Sequence, residues 1–185
     1  RATYYEYTPQ HSSDSEAPED DWNPRVVTET ILGNTVGKTY YVYQVEPDDT
    51  RTEIVERATS PSASYGDSSN LRNITSYYPF DGESEESGKM KIRIYPDGRM
   101  DTYTYDKGIY SANSDPSLPG MFTPGNGEDE RETVIHGTID YPSGIADKTT
   151  GETTIKDRFG RQLLTEISAY NGSGYDRINW TVQQF

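Results

Sequence analysis

The sequence predicts an all-β protein, an antiparallel hairpin-rich sheet or sandwich with long acidic loops, and three observations carry that expectation. Short stretches in which β-branched and aromatic residues alternate with polar ones recur along the chain. Clusters of Gly, Pro, Asn and Asp separate them. No breaker-free segment of a dozen residues holds a 3.6-residue apolar beat, although "RFGRQLLTEI" would support a turn and a half of helix.

The elements follow in order. Residues 2–8, "ATYYEYT", read as a strand, and residues 9–24 as a flexible acidic linker whose Ser, Pro and carboxylates cannot bury a face. From residue 25 to 185 the pattern is one β domain. "RVVTETIL" turns at Gly33-Asn34 into "KTYYVYQVE", which turns at Pro47-Asp48-Asp49 into "RTEIVERAT". "SPSASYGDSSN" is a loop, "LRNITSYYP" a strand and "FDGESEESG" a hydrophilic turn. In "KMKIRIYP", Met90, Ile92 and Ile94 alternate with Lys89, Lys91 and Arg93, giving one apolar and one charged face. Asp97-Gly98 between this strand and "RMDTYTYD" is the strongest short-range hairpin signal in the chain. Residues 112–130, with three Pro and three Gly, read as one long loop. Strands resume in "ETVIHGTIDY", "TTGETTIKD", "RQLLTEISAY" and "RINWTVQQF".

Composition narrows the function. Leu, Ile, Val and Phe together number only 29 of 185 residues, a share at which disorder competes with folding. Against disorder stand 16 tyrosines, 21 threonines and 12 isoleucines, residues that suit a pleated half-buried surface. The net charge of −14 repels phosphate backbones and anionic membranes and favours solubility. Without cysteine there is no disulfide, thiolate ligand or thiol nucleophile. No run of 18 apolar residues is present, so membrane insertion by a helix is not expected. The start at Arg1 and the stop at Phe185 inside a strand-like run read as a piece processed or excised from a longer chain.

"YPDGRMDTYTYDKG", residues 95–108, resembles the tyrosine-aspartate repeat of the Rhs and YD-repeat proteins, in which a D-G-R or D-x-x-G-R turn leads into a strand ending near Tyr-Asp. Asp97, Gly98, Arg99, Tyr105 and Asp106 carry that pattern, and Asp157, Gly160 and Arg161 repeat its turn in "DRFGRQLLTEISAY". The likeness covers residues 88–111 and 148–185. It implies a secreted or surface-displayed β scaffold or shell whose repeats carry no catalysis, with any toxin in a separate terminal domain. The residues themselves argue the same way: Gly98 and Gly160 allow a positive φ, Asp97 and Asp157 bond their own turns, and alternating Tyr and Thr form cross-strand pairs.

Other candidate sites are weaker. His136 and His11 are the only histidines, too few for a zinc site. "GDSS", Gly66–Ser69, looks like a nucleophilic serine turn but has no base or oxyanion hole beside it in sequence. No carboxylate pair marks a glycosidase. No cofactor is expected; calcium is the alternative, on "GNGEDE" (residues 125–130) or "PEDD" (residues 18–21), neither of which reproduces an EF-hand. Asn73, Asn171 and Asn179 stand in N-x-S/T triplets that a glycosylating cell would modify.

The expected function is therefore that of an extracellular structural or interaction module, not an enzyme, pairing with copies of itself as oligomer or filament. Ala2, Thr3, Tyr4, Tyr5, Glu6, Tyr7 and Thr8 form the candidate inter-subunit strand, with residues 176–185 as the other pairing strand. The alternatives are a carbohydrate-binding or adhesin module using surface Tyr and Trp, Trp22 and Trp180 among them, and a segment of a toxin-enclosing shell.

Overall fold

The computed structural model describes residues 1–9, 14, 23–115, 117–138 and 150–183. Among them are twelve strands and no helix: β1 (Ala2–Glu6), β2 (Val26–Ile31), β3 (Asn34–Val45), β4 (Arg51–Arg57), β5 (Leu71–Tyr77), β6 (Met90–Ile94), β7 (Arg99–Ser111), β8 (Met121–Pro124), β9 (Asp129–Thr138), β10 (Thr150–Lys156), β11 (Gln162–Tyr170) and β12 (Tyr175–Val182). All lie in one antiparallel sheet in the order β1-β2-β3-β4-β5-β6-β7-β9-β10-β11-β12, with β8 attached to β7. Of the two architectures expected, the structure is the sheet and not the sandwich. It is an open meander in which every strand but β9 lies beside its predecessor, some joined by tight turns, as at Gly33 and Gly98, and others by longer connections.

The burial pattern follows from that single layer. A strand covered on one face alternates between buried and exposed, yet β5 from Asn73 on and all of β6 run half-buried residue after residue. Side chains here are shielded chiefly by their neighbours along the sheet. Registered pairs set Val42, Ile54, Ile74, Ile94 and Met100 in one row across five strands. Each such pair contributes about 0.2–1 kcal/mol, so many in series replace a thick core.

Two appendages cover part of that face. The loop after β4 folds over Tyr40 and Glu56: the Tyr40 hydroxyl donates to the Ala63 carbonyl at 2.7 Å, and Glu56, 1% exposed, accepts from the Gly66 N–H and from Asn70 Nδ2. The second is the arm formed by the end of β7 with β8. Its Phe122 ring lies 4.6 Å from the Arg131 guanidinium, on the face where Arg131 pairs with Ile155 and Ile155 with Leu164, both 2% exposed.

The arm corrects the expectation of one structureless loop over residues 112–130, since β8 and the start of β9 lie inside it. The Gly125 N–H donates to the Lys107 carbonyl, whereas the Tyr110 N–H is taken by Asp129 of β9. Alternate residues turn their backbone groups to opposite sides, so β8 flanks one side of β7 and β9 the other. The chain must therefore cross β7 between them. It crosses at two glycines, because a Cβ on Gly127 would stand 1.7 Å from the Gly108 carbonyl oxygen.

Three smaller corrections concern the first fifty residues. The β2–β3 turn is centred on Leu32 and Gly33 (φ 49° and 82°), and Asn34 already belongs to β3. The strand at residues 2–8 is no separate unit, because β1 is hydrogen-bonded to β2 with Tyr4 opposite Thr28. Within the linker expected to be flexible, Asp14 is held: its carboxylate meets buried Arg25 at 2.6 Å. Residues 10–13 and 15–22 of that linker, His11 and Trp22 among them, lie outside the described residues, as does residue 139 onward in the strand that follows His136.

If the aliphatic row carries stability, Ile54→Ala will cost about 2–4 kcal/mol in urea unfolding. Ile178→Ala, on a side chain 59% exposed, will cost less than about 0.5 kcal/mol.

Candidate functional site

A groove lies across β3, β4 and β5, on the face opposite the aliphatic row. Register makes it: Tyr43 pairs with Glu53 and Glu53 with Thr75, while Val45 pairs with Arg51 and Arg51 with Tyr77. The segment after β5 supplies Tyr78 and Phe80. Gly88 gives Phe80 its seat, since a Cβ there would stand 2.9 Å from the ring, and at φ 68° glycine is also the residue that fits. With Asn23, Gln44 and Thr52, all of these but Thr75 line a groove of about 500 Å³.

The groove has aromatic walls and a polar floor. Arg25 stacks 4.6 Å from the Tyr43 ring centre, and the Tyr78 hydroxyl donates to the Tyr103 carbonyl at 2.9 Å. Phe80 stands 80% exposed at the rim. Burial raises the Glu53 carboxyl above the usual carboxylate range, and no donor among the described residues hydrogen-bonds it. Burial, then the charge on Glu53, raises the Tyr77 phenol; burial pushes Tyr78 up to about 12. A half-desolvated carboxylate between rings can accept hydrogen bonds from a polyhydroxylated ligand that stacks on those rings.

A second cluster sits farther along the same face. Arg93, Asp101 and His136 are registered neighbours on β6, β7 and β9. Asp101, 8% exposed, accepts the Tyr95 hydroxyl at 2.7 Å and faces His136 Nδ1 at 2.7 Å. The arrangement orients an imidazole as the base of a hydrolase is oriented. No serine, threonine or tyrosine hydroxyl among the described residues hydrogen-bonds that imidazole. Ser69 of the "GDSS" turn instead donates to Asp67 and pairs with Thr59.

The two D-G-R-type turns share one device. Arg99 Nε donates to Asp97 at 2.7 Å and Arg161 Nε to Asp157 at 2.7 Å, with Gly98 (φ 83°) and Gly160 (φ 77°) at the positive-φ positions. The arginines also approach rings, Arg99 that of Tyr95 at 5.0 Å and Arg161 that of Phe159 at 5.3 Å. Hydrogen bonds from Arg99 hold the Asp97 carboxyl below its ordinary range. Tyr105 is half-buried against Tyr78 at 6.4 Å between centroids, and Asp106 takes two hydrogen bonds from Arg131. These residues build turns and ladders. The structure brings none of them to the groove.

The three sequons differ in surroundings. Asn73 is half-buried in mid-sheet opposite Val55. Asn171 is committed to its turn: Oδ1 accepts the Ser173 and Gly174 N–H groups, and Nδ2 donates to Asp176. Asn179 is exposed on β12, where Oδ1 accepts the Trp180 N–H. In "GNGEDE", Asp129 accepts the Tyr110 N–H and Glu128 pairs with Arg158, so these carboxylates face protein partners; "PEDD" lies outside the described residues. Among the described residues no three carboxylates or imidazoles gather closely enough to hold a metal. Trp180 is half-exposed, and its indole N–H donates to Ser117 at 3.1 Å.

Sequence reasoning missed Glu53, Arg51 and Tyr77 as one site. Their only sequence signal is a polar residue alternating with β-formers, which every strand here shares. Comparison with protein-family models, curated proteins and solved structures returns no match.

Proposed function

We propose that the chain is an extracellular structural and interaction module, a β scaffold of YD-repeat type that associates with copies of itself through the edges of its sheet and performs no catalysis. One observation carries this reading: the sheet is an open single layer whose two outermost strands, β1 and β12, each have one lateral edge without a strand partner among the described residues. Such edges present backbone donors and acceptors to any further strand. The repeated Asp-Arg clasp in the two D-G-R-type turns supports the kinship with YD-repeat scaffolds. Secretion or surface display follows from that kinship. Sedimentation velocity tests the assembly: the mass will rise above that of the 20.9 kDa monomer as concentration increases, whereas a monomer at every concentration contradicts the reading.

The groove favours a second reading, a carbohydrate-binding module. Aromatic walls and the Glu53 carboxylate, which accepts no hydrogen bond among the described residues, match the stacking and hydrogen-bonding faces of a sugar. In a glycan-array screen followed by titration, Tyr77→Ala and Glu53→Gln will each weaken a bound oligosaccharide at least about tenfold, a loss of 1.4 kcal/mol or more. Retention of full affinity in both variants removes this reading.

A further inference from the structure

The two free edges are not equivalent, and their difference selects the partner. On β12 the edge is blunted three ways. The Gln183 N–H donates inward to the Leu163 carbonyl at 3.0 Å, so by alternation the Trp180 N–H faces the open side, and there Asn179 Oδ1 occupies it at 2.9 Å. The pairing with β11 shifts register between Ile167 and Ser168, leaving Ile178 without an opposite residue and bending the strand. The Trp180 side chain is tied to Ser117 of the β7–β8 arm. Caps and bulges of this kind are how sheets prevent edge pairing.

β1 has none of these devices. Its pairing with β2 is regular from Ala2 to Glu6, and it contains no Pro, Lys or Gly. Every residue in it is exposed, Tyr4 and Tyr5 at 58% and 57%. It is also suited to meet itself. An antiparallel pair related by a two-fold axis must place one residue opposite its own copy, because neighbouring pairs along the ladder alternate in hydrogen-bonding type. Tyr4 is the middle of the five-residue strand. Centring the axis there overlaps the whole strand, with Tyr4 on Tyr4, Thr3 beside Tyr5, and Ala2 beside Glu6 of the second copy. No like charges are opposed, Glu6 meets alanine, and the aromatic and Thr–Tyr pairs are favourable cross-strand combinations.

We infer that β1 is the docking edge for a second copy of this chain and that the pair is isologous, two β1 strands joined antiparallel about Tyr4. An isologous contact uses the same patch on both subunits and closes as a dimer; the head-to-tail pairing of β1 with β12 that would propagate a filament is excluded by the blunted β12 edge. The inference rests on the assembly reading above. It adds which edge is used and where growth stops.

Sedimentation velocity on three proteins tests it: the native chain, Thr3→Lys/Tyr5→Lys on the β1 edge, and Ile178→Lys on β12. The expected result is a native dimer that grows no further, association weakened at least about tenfold by the β1 lysines, and no change with Ile178→Lys. Because the chain has no cysteine, Tyr4→Cys oxidised with diamide will form a disulfide-linked dimer, the paired Cα atoms being about 4.5–5.5 Å apart, and Ile178→Cys will not. The crosslink reads proximity even if the lysine variants loosen β1 from β2. Filaments, or association lost with Ile178→Lys, overturn the isologous pair and leave the assembly reading standing. A monomer at every concentration overturns both.

Discussion

Everything in this molecule depends on the cross-strand pair. A single layer has no second sheet or helix to press against, so a side chain finds company only across and along the ladder. That constraint explains the composition. Tyrosine and threonine hydrogen-bond at one end and pack at the other, so they stay satisfied on a surface half in water, where leucine would not. It also explains why Val42, Ile54, Ile74, Ile94 and Met100 are lined up in register across five strands.

The same constraint leaves backbone groups exposed at the margins. An open meander leaves two lateral edges, and the chain treats them differently, capping β12 with Asn179 and a bulge while leaving β1 regular. The tyrosine groove arises from the same ladder, because register alone sets Tyr43, Glu53, Arg51 and Tyr77 side by side. Scaffold and candidate binding surface are built from one interaction repeated.

Much of the fold was legible in the sequence. Alternation and turn residues marked most strands, and Asp97-Gly98 marked the hairpin in which Tyr95 and Arg99 close the turn. The β7–β8 arm was hidden because three prolines and three glycines read as loop, although one of those glycines, Gly127, serves the close crossing of β7 at Gly108. Register was illegible: shifts at Glu29/Thr30, Ser76/Tyr77, Ile155/Lys156 and Ile167/Ser168 decide which residues meet, and no local pattern announces them. Glu53 was therefore one carboxylate among 31 until its neighbours across the strand were known. Asp14, read as part of a solvated linker, is instead the partner of buried Arg25.

Alkaline titration tests the account most directly, because it asks whether the tyrosines are scaffolding. Burial pushes the Tyr78 and Tyr103 phenols up to about 12 and raises Tyr105 as well, while unfolded tyrosine ionises near 10. A raised folded value means stability that is complete below about pH 10 and lost as pH rises toward 12, since the unfolded chain sheds its phenolic protons first. Phenolate absorbance followed together with circular dichroism will show a group of tyrosines that ionise only as the sheet melts. Smooth ionisation of every tyrosine near 10 with the sheet intact would contradict the claim that these rings hold the layer together.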